Sequence, residues 1–412
     1  MRTFLLFVLI LALVAGGAFA YLTFTTPSSG NGVHFPLNAS ERTLLSYVPR
    51  EAELFAILPT ATVTYKKLLG NPVARQPIED WTVHHQMPSS WMLGGADLVL
   101  WKAGDRTSYA VRVDPVRAAI IRVYLMMAGD PGDGAASFRI NAIASDPLDA
   151  PSIGEIEALA TALPAGDLLM VQRSSRHGGF PPMARPAVST ASVTPAEILF
   201  TSHAVASDVE VSPQPVTSRF PRGALMTAWF AKPPRPIDDL SRLLGTRVSP
   251  LVSEGGQVVL YDVQTRTLLP RPKGVFVLPA DEPRRQAIQN LEGLASKEVR
   301  DALGVKVETV EKDGQLLVAF DDSSIPAYSK EVLEAASWPA NRWSVRLDPL
   351  RFVPILEKLD GNPGLRLAAP RLFRSARDLR HWVGYLGQAR LIEAADSVSG
   401  NTEELRVRIS SK

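Results

Sequence analysis

Six histidines, His34, His84, His85, His177, His203 and His381, are the side chains whose unperturbed charge changes near neutral pH, and so the first candidates for proton transfer or metal binding. Only His84 and His85 are neighbours. Adjacent residues on a helix project about 100° apart, so this pair lacks the i, i+4 spacing of a helical zinc site. The histidines therefore read as surface side chains. The acidic pairs Asp238-Asp239, Asp281-Glu282 and Asp321-Asp322 each fall at an expected element end, where a carboxylate favours a helix N-terminus, so they read as caps and solvated turns rather than acid/base pairs. Arg176-His177-Gly178-Gly179 has the successive glycines of an anion nest, yet lies in a Pro-rich stretch that reads as a flexible linker. No GxSxG, HExxH, Walker-type or dinucleotide-binding pattern occurs, and we assign no catalytic, cofactor-binding or metal-binding residue from sequence.

The one suggestive surface is basic. Residues 342–390 hold ten Lys or Arg against four Asp or Glu, and within them 370–386 has helical periodicity. Leu372, Ala376, Leu379, Val383 and Leu386 share one face, while Arg371, Arg374, Arg377 and Arg380 occupy the rest. Such a helix suits anionic lipid headgroups, an anionic cell-wall polymer or an acidic envelope protein; the plainer reading is a core helix with a solvated basic face.

The elements that would position these groups follow an N-terminal apolar run. Residues 1–24 contain one Arg and no acid. Arg2 is a minimal positive n-region, 4–14 an apolar h-region, and Ala18-Phe19-Ala20 an A-x-A-like cleavage site. Alternatively residues 3–24 stay as a membrane anchor, being close to the ~20 residues a spanning helix needs. In both cases the rest of the chain is expected on the extracytoplasmic, periplasmic side. Zero cysteines exclude disulfides, thiolate metal sites and cysteine nucleophiles. A net charge of +2 provides no global field for nucleic acid, and 46% hydrophobic with 21% charged residues is the composition of an ordinary folded body.

A punctuation of apolar or aromatic residue, Pro, then Arg or Ala ahead of a strand-like run occurs four times: Val48-Pro49-Arg50, Leu163-Pro164-Ala165, Phe220-Pro221-Arg222 and Trp338-Pro339-Ala340. The prolines are 115, 57 and 118 residues apart, as two tandem copies of a unit of roughly 175 residues would leave them. Gly94-Gly95 and Gly255-Gly256, each ahead of a strand, keep the same order. The expected fold is α+β: two tandem, diverged copies of an antiparallel-sheet-plus-helices unit after the N-terminal hydrophobic segment. The expected boundaries are leader 1–24, linker 25–43, first unit 44–212 with a mobile Pro-rich loop at 174–195, and second unit 218–412 with a helical insertion at 349–386. Each unit should run strand, helix, hairpin, helix, hairpin, helix, strand, final hairpin. Asp313-Gly314 is a type I′ hairpin signal, and Gly104-Asp105 and Ser399-Gly400-Asn401 read likewise.

Val111-Arg112-Val113-Asp114-Pro115-Val116-Arg117 returns as Val345-Arg346-Leu347-Asp348-Pro349-Leu350-Arg351. Here a strand ends, Asp caps a helix, and Pro at the first helical position has the right φ already. Trp101, Trp229 and Trp343 alternate with apolar neighbours and are expected in cores; Trp81, Trp91 and Trp382 are candidates for lining a groove.

The leader, the Pro-initiated strand Tyr47-Val48-Pro49-Arg50-Glu51-Ala52-Glu53-Leu54-Phe55-Ala56-Ile57 and the later return of that unit resemble a family of bacterial envelope proteins of unknown function, with one N-terminal hydrophobic segment and a repetitive exported α+β region. The resemblance implies an envelope setting and carries over no functional residues. The combined expectation is a non-catalytic exported or membrane-anchored protein that binds another envelope component, with an exported cell-wall hydrolase bearing an unrecognised carboxylate site as the alternative. If the basic helix is the contact surface, charge reversal at Arg374, Arg377 and Arg380 weakens association with the partner or membrane and leaves the melting temperature unchanged; unaltered association removes this surface.

Overall fold

The computed structural model describes residues 32–33, 35–84, 95–104, 106–128, 138–173, 186–206, 214–232, 255–265, 271–293, 307–319, 321–360 and 387–412. The chain divides into two compact units, Met1–Val205 and Ala206–Lys412. The hydrophobic segment 3–24 and the basic residues Arg371, Arg374, Arg377 and Arg380 lie outside the described residues, as do Asp238-Asp239. Among the described residues no helix is long and apolar enough to cross a membrane.

The first unit runs α1 (Ala39–Leu45), β1 (Leu54–Leu58), α2 (Ala61–Gly70), α3 (Pro72–His84), β2 (Asp97–Ala103), β3 (Arg106–Arg112), α4 (Pro115–Ala128), β4 (Phe138–Ile140), α5 (Ala150–Ala160), β5 (Leu168–Gln172), β6 (Ala187–Val193) and β7 (Glu197–Val205). Its sheet has the order β7-β6-β5-β1-β2-β3-β4. β1 is held on both edges, with Ile57 opposite Val99 on β2 and Leu169 on β5. Strand alternation then sorts the side chains into two cores. Phe55, Ile57, Val99, Trp101, Leu169 and Val171 face a layer containing Leu44, Leu45, Ile156 and Ala160 from α1 and α5. Leu58, Leu98, Tyr109 and Val111 face the other way, toward Ala61 of α2 and Ile121 of α4. The α1 start is a capping box: Asn38 Oδ1 accepts from Glu41 N at 2.9 Å, and Glu41 Oε2 accepts from Asn38 N at 2.7 Å.

The second unit runs β8 (Arg219–Pro221), β9 (Met226–Phe230), β10 (Gly256–Gln264), β11 (Arg271–Pro279), α6 (Glu282–Gly293), β12 (Glu308–Lys312), β13 (Gln315–Ala319), α7 (Ser324–Lys330), β14 (Leu333–Ala335), β15 (Trp343–Leu347), α8 (Pro349–Asp360), β16 (Ala389–Ser399) and β17 (Thr402–Ser411). Its main sheet has the order β12-β13-β11-β10-β9-β15-β16-β17, and β8 pairs with β14 apart from it. Val259, Val275, Val277 and Leu317 pack with Ile325 of α7 on one face; Leu278, Leu316 and Val318 pack with Ile288 of α6 on the other.

Both units are α+β with mostly antiparallel sheets, and they order their strands alike. In each, the first core strand (β1, β9) lies between a hairpin (β2–β3, β10–β11) and a later strand (β5, β15) that leads into a terminal hairpin (β6–β7, β16–β17). Smaller devices correspond as well. Val33 exchanges two backbone hydrogen bonds with Gly166, at 2.7 and 3.1 Å, and Val216 does the same with Ala340, at 2.8 and 3.0 Å. Asp114 Oδ1 accepts from Arg117 N at 3.0 Å as α4 begins, and Asp281 Oδ1 accepts from Arg284 N at 2.9 Å as α6 begins. Each capping aspartate also pairs with its arginine, whose side chain is 3% exposed in both cases.

Several expectations need correction. Of the expected linker 25–43, the described residues Val33 and Leu37 are buried in the first core, where Val33 bridges to Gly166. Ala187–Val193, expected within the Pro-rich loop, is β6, paired on both sides. Among the described residues of the first unit, a short strand, β4, parallel to β3 across the α4 crossover, stands where the second hairpin was expected. Asp348 caps a helix after β15, accepting from Arg351 N at 3.3 Å, and Asp281, after the hairpin β10–β11, stands where Asp114 stands in the first unit. Trp343 is 37% exposed rather than packed in a core. The Asp313-Gly314 hairpin is as read, with both residues at positive φ, 52° and 73°.

Replacing Asp281 with Ala removes both the cap and the partner of Arg284. The expected loss is about 1–2 kcal/mol in urea denaturation, with Asp281→Asn, which keeps the cap acceptor, losing less.

Candidate functional site

Among the described residues, the densest set of buried charges lies on β15, β16 and β17. The strand Ala389–Ser399 places Asp396 at a position that alternation assigns to the same face as Ala394 and Val398. Asp396 is 3% exposed and sits opposite Trp343 on β15 and Leu405 on β17. Glu403, on β17 two residues before Leu405, lies diagonally across from it on that face. Arg342 joins them: its Nη1 is 2.9 Å from Glu403 Oε1 and 3.8 Å from Asp396 Oδ2. The other carboxylate oxygen, Asp396 Oδ1, is buried with no hydrogen-bond partner among the described residues. Burial pushes the Asp396 carboxyl up to about 7; the Glu403 charge adds to this and Arg342 opposes it.

The opposite face of the same strands carries a second network. Ser337 Oγ donates to Glu393 Oε2, and Arg408 Nη1 donates to Ser337 Oγ at 2.9 Å. Arg346 reaches Glu334 on β14 at 2.7 Å and Glu393 at 3.8 Å. The Arg408 guanidinium also stacks over Trp338, 5.2 Å from the ring centroid. Further along the sheet the Tyr261 hydroxyl is buried with no partner among the described residues, and burial, with Glu331 and Tyr328 nearby, raises its pKa above the ordinary tyrosine range. Arg351 closes this corner by donating to the carbonyls of Gly223 at 2.7 Å and Tyr261 at 3.0 Å.

A buried aspartic acid that holds its proton to neutral pH beside a second carboxyl group is one arrangement found in acid/base pairs. Its setting argues for structure: at 3% exposure Asp396 meets packed strands, and Asn341 locks the neighbouring β16 backbone by donating to Val398 O at 2.7 Å and accepting from Val398 N at 2.8 Å. The cluster ties the segment entering β15 to the terminal hairpin.

The sequence candidates fare variously. His203 is buried rather than on the surface, its Nδ1 3.0 Å from Leu159 O, which fastens β7 to α5. Asp281 caps α6, and Asp321 lies in the turn ahead of α7, where its Oδ1 accepts from the backbone N–H groups of Ser323 and Ser324, both at 2.8 Å. His34, His85, His177, His381 and the Arg176-Gly179 nest lie outside the described residues. Among the described residues no three His, Asp or Glu side chains group to hold a metal. Asp396 was missed in the sequence, although an acid at an inward-facing position of an alternating strand was a usable signal. No family model, no curated protein and no solved structure matches the chain.

An unfolded aspartate ionises near 3.8, whereas folded Asp396 keeps its proton to about 7. The folded state therefore binds the extra proton between those values, so the contribution of this group to stability falls as pH rises through that window and levels off above it. The slope is on the order of 1 kcal/mol per pH unit. Asp396→Asn should flatten the pH dependence of thermal stability between these limits and gain most over the parent at pH above neutrality; an unchanged slope would place the titration elsewhere.

Proposed function

We propose that this chain is a non-catalytic envelope protein, exported and either released or held at the membrane by residues 3–24, which binds another envelope component. We further propose that its two units are diverged tandem copies of one ancestral α+β unit. The shared strand order, the Val33–Gly166 and Val216–Ala340 bridges, and the matching Asp114–Arg117 and Asp281–Arg284 caps support the second statement. A duplication explains them together, because capping pairs and backbone bridges at corresponding places are independent features.

The observation that carries the envelope reading is the junction at the start of the first unit. Only residues 25–32 separate the apolar run from Val33, which is fastened to Gly166 within the sheet-and-helix body. A hydrophobic segment leading this closely into an ordered body fits a leader or a short-tethered anchor. Among the described residues β12 has no strand on its outer side and exposes Val310, so the sheet edge is one surface on which a partner strand can add.

The second reading, an exported cell-wall hydrolase, draws its support from the Asp396–Glu403 pair around Arg342. It requires that the purified chain release soluble fragments from cell-wall material and that Glu403→Gln abolish the release. The binding reading predicts no release, and reproducible capture of one envelope component by crosslinking in intact cells followed by mass spectrometry. Mass spectrometry of the intact protein separates the two fates of the leader: a chain starting at Tyr21 has been cleaved, while one retaining Arg2 is anchored. A full-length chain recovered wholly with cytoplasmic proteins would overturn export.

A further inference from the structure

Helix α4 lacks a polar face. Its sequence, from Pro115 to Ala128, contains Arg117 and Arg122 as its only charged residues. Arg117, Ala118 and Ile121 turn inward and are 3%, 4% and 0% exposed, with Ile121 in the core against Leu98, Tyr109 and Val111. The opposite stripe, at spacings of three, four and three residues, is Val116, Ala119, Val123 and Met126. Val116 and Val123 are each 48% exposed and Met126 is 75% exposed. Ala119 and Arg122 are exposed beside them. A helix that is apolar on all sides belongs in a protein core or in contact with lipid, and among the described residues α4 meets a core on the side of Ala118 and Ile121.

We propose that the outer face of α4, formed by Val116, Ala119, Val123 and Met126, seats on the lipid bilayer that holds residues 3–24, with Arg122 at the phosphate level. This inference rests on the anchored form of the proposed function. The occupant follows from where the anchor leads. Val33 is fixed to Gly166, just before β5 begins. Through the pairings Leu169–Ile57, Leu58–Leu98 and Leu98–Val111, that point and the start of α4 lie at the same end of the sheet. Three strand spacings, about 14 Å, separate β5 from β3, after which α4 begins. The eight-residue tether 25–32 reaches at most about 29 Å, and α4 is about 21 Å long. An anchored chain therefore keeps this apolar face within a tether's length of the membrane surface, where association is intramolecular and needs little affinity of its own. The charge also fits: the helix has no acid to be repelled by anionic headgroups, and its exposed cation can pair with phosphate. Interfacial helices usually turn their other face to water, whereas here that face is packed on the sheet, so the whole first unit would be oriented by the contact.

The absence of cysteine makes the test direct. Single cysteines at Val123, Met126, Ala158 on the opposite layer, and Leu11 in the apolar run are each labelled with a bimane fluorophore in the full-length chain, reconstituted in vesicles of phosphatidylcholine and phosphatidylglycerol containing nitroxide-labelled lipid. The expected result is strong quenching at Leu11 and quenching at Val123 and Met126 about threefold or more above that at Ala158. Quenching at Leu11 with Val123 and Met126 no higher than Ala158 overturns the inference and leaves the anchor standing. A lack of quenching at all four positions overturns both. If labels at Val123 and Met126 are already shielded from aqueous acrylamide in detergent-solubilised protein, and lipid adds no quenching, the face is covered by protein, another copy or another stretch of this chain, and the lipid assignment falls.

Discussion

A strand with hydrogen-bonded neighbours on both edges and side chains buried on both faces has no freedom of register, and in each unit one such strand fixes the position of everything else. In the first unit this is β1, where Ile57 is opposite Val99 and Leu169 at once. A slip by one residue would exchange Phe55 and Ile57, 1% exposed in one core, with Ala56 and Leu58 on the other. In the second unit β9 has the same place, with Thr227 opposite both Val259 and Arg346. The helices follow from this strand because each leaves the sheet at a point its register has set.

Where those helices begin, charge completes what register starts. The aspartates at 114 and 281 satisfy an orphan backbone donor at the helix start and also accept an arginine turned under the first helical turn. Burying a guanidinium is tolerable there because its partner is already held by the cap. Asp396 is the contrasting case. It is buried, Glu403 lies beside it, and Arg342 is closer to Glu403 than to it, so its carboxyl resists ionisation until about neutral pH. The same residue type thus serves as a helix cap bonded to an arginine at one position and as a near-neutral acid at another.

The exposed face of α4 marks the limit of the packing economy of the first unit. Its β4 strand runs parallel to β3, which requires a crossover, and α4 is that crossover. One side of the helix completes the second core while Val116, Val123 and Met126 on the other are exposed. In the second unit the corresponding α6 turns Arg285 outward to Glu311 of β12, so the hairpin that replaces β4 comes with a polar outer contact.

Much of the fold was legible because it depends on local rules. Turn glycines, Pro-initiated strands, Asp-Pro helix starts and apolar alternation identify many of the elements, including the Asp313-Gly314 hairpin, since each is decided by the φ preferences and hydrogen bonds of a few consecutive residues. The apolar run at 3–24 likewise needs no tertiary context to be recognised. The sequence alone could not pair Asp114 with Asp281 rather than Asp348, because correspondence is set by which strand precedes the helix in the sheet and not by the surrounding words. Nor could it show that His203 is buried, or assign Asp396 a proton at neutral pH. Exposure of Val123 and Met126 was equally undecidable: an apolar side chain reads the same whether a core or open surface faces it, and only the tertiary arrangement determines which neighbours replace water.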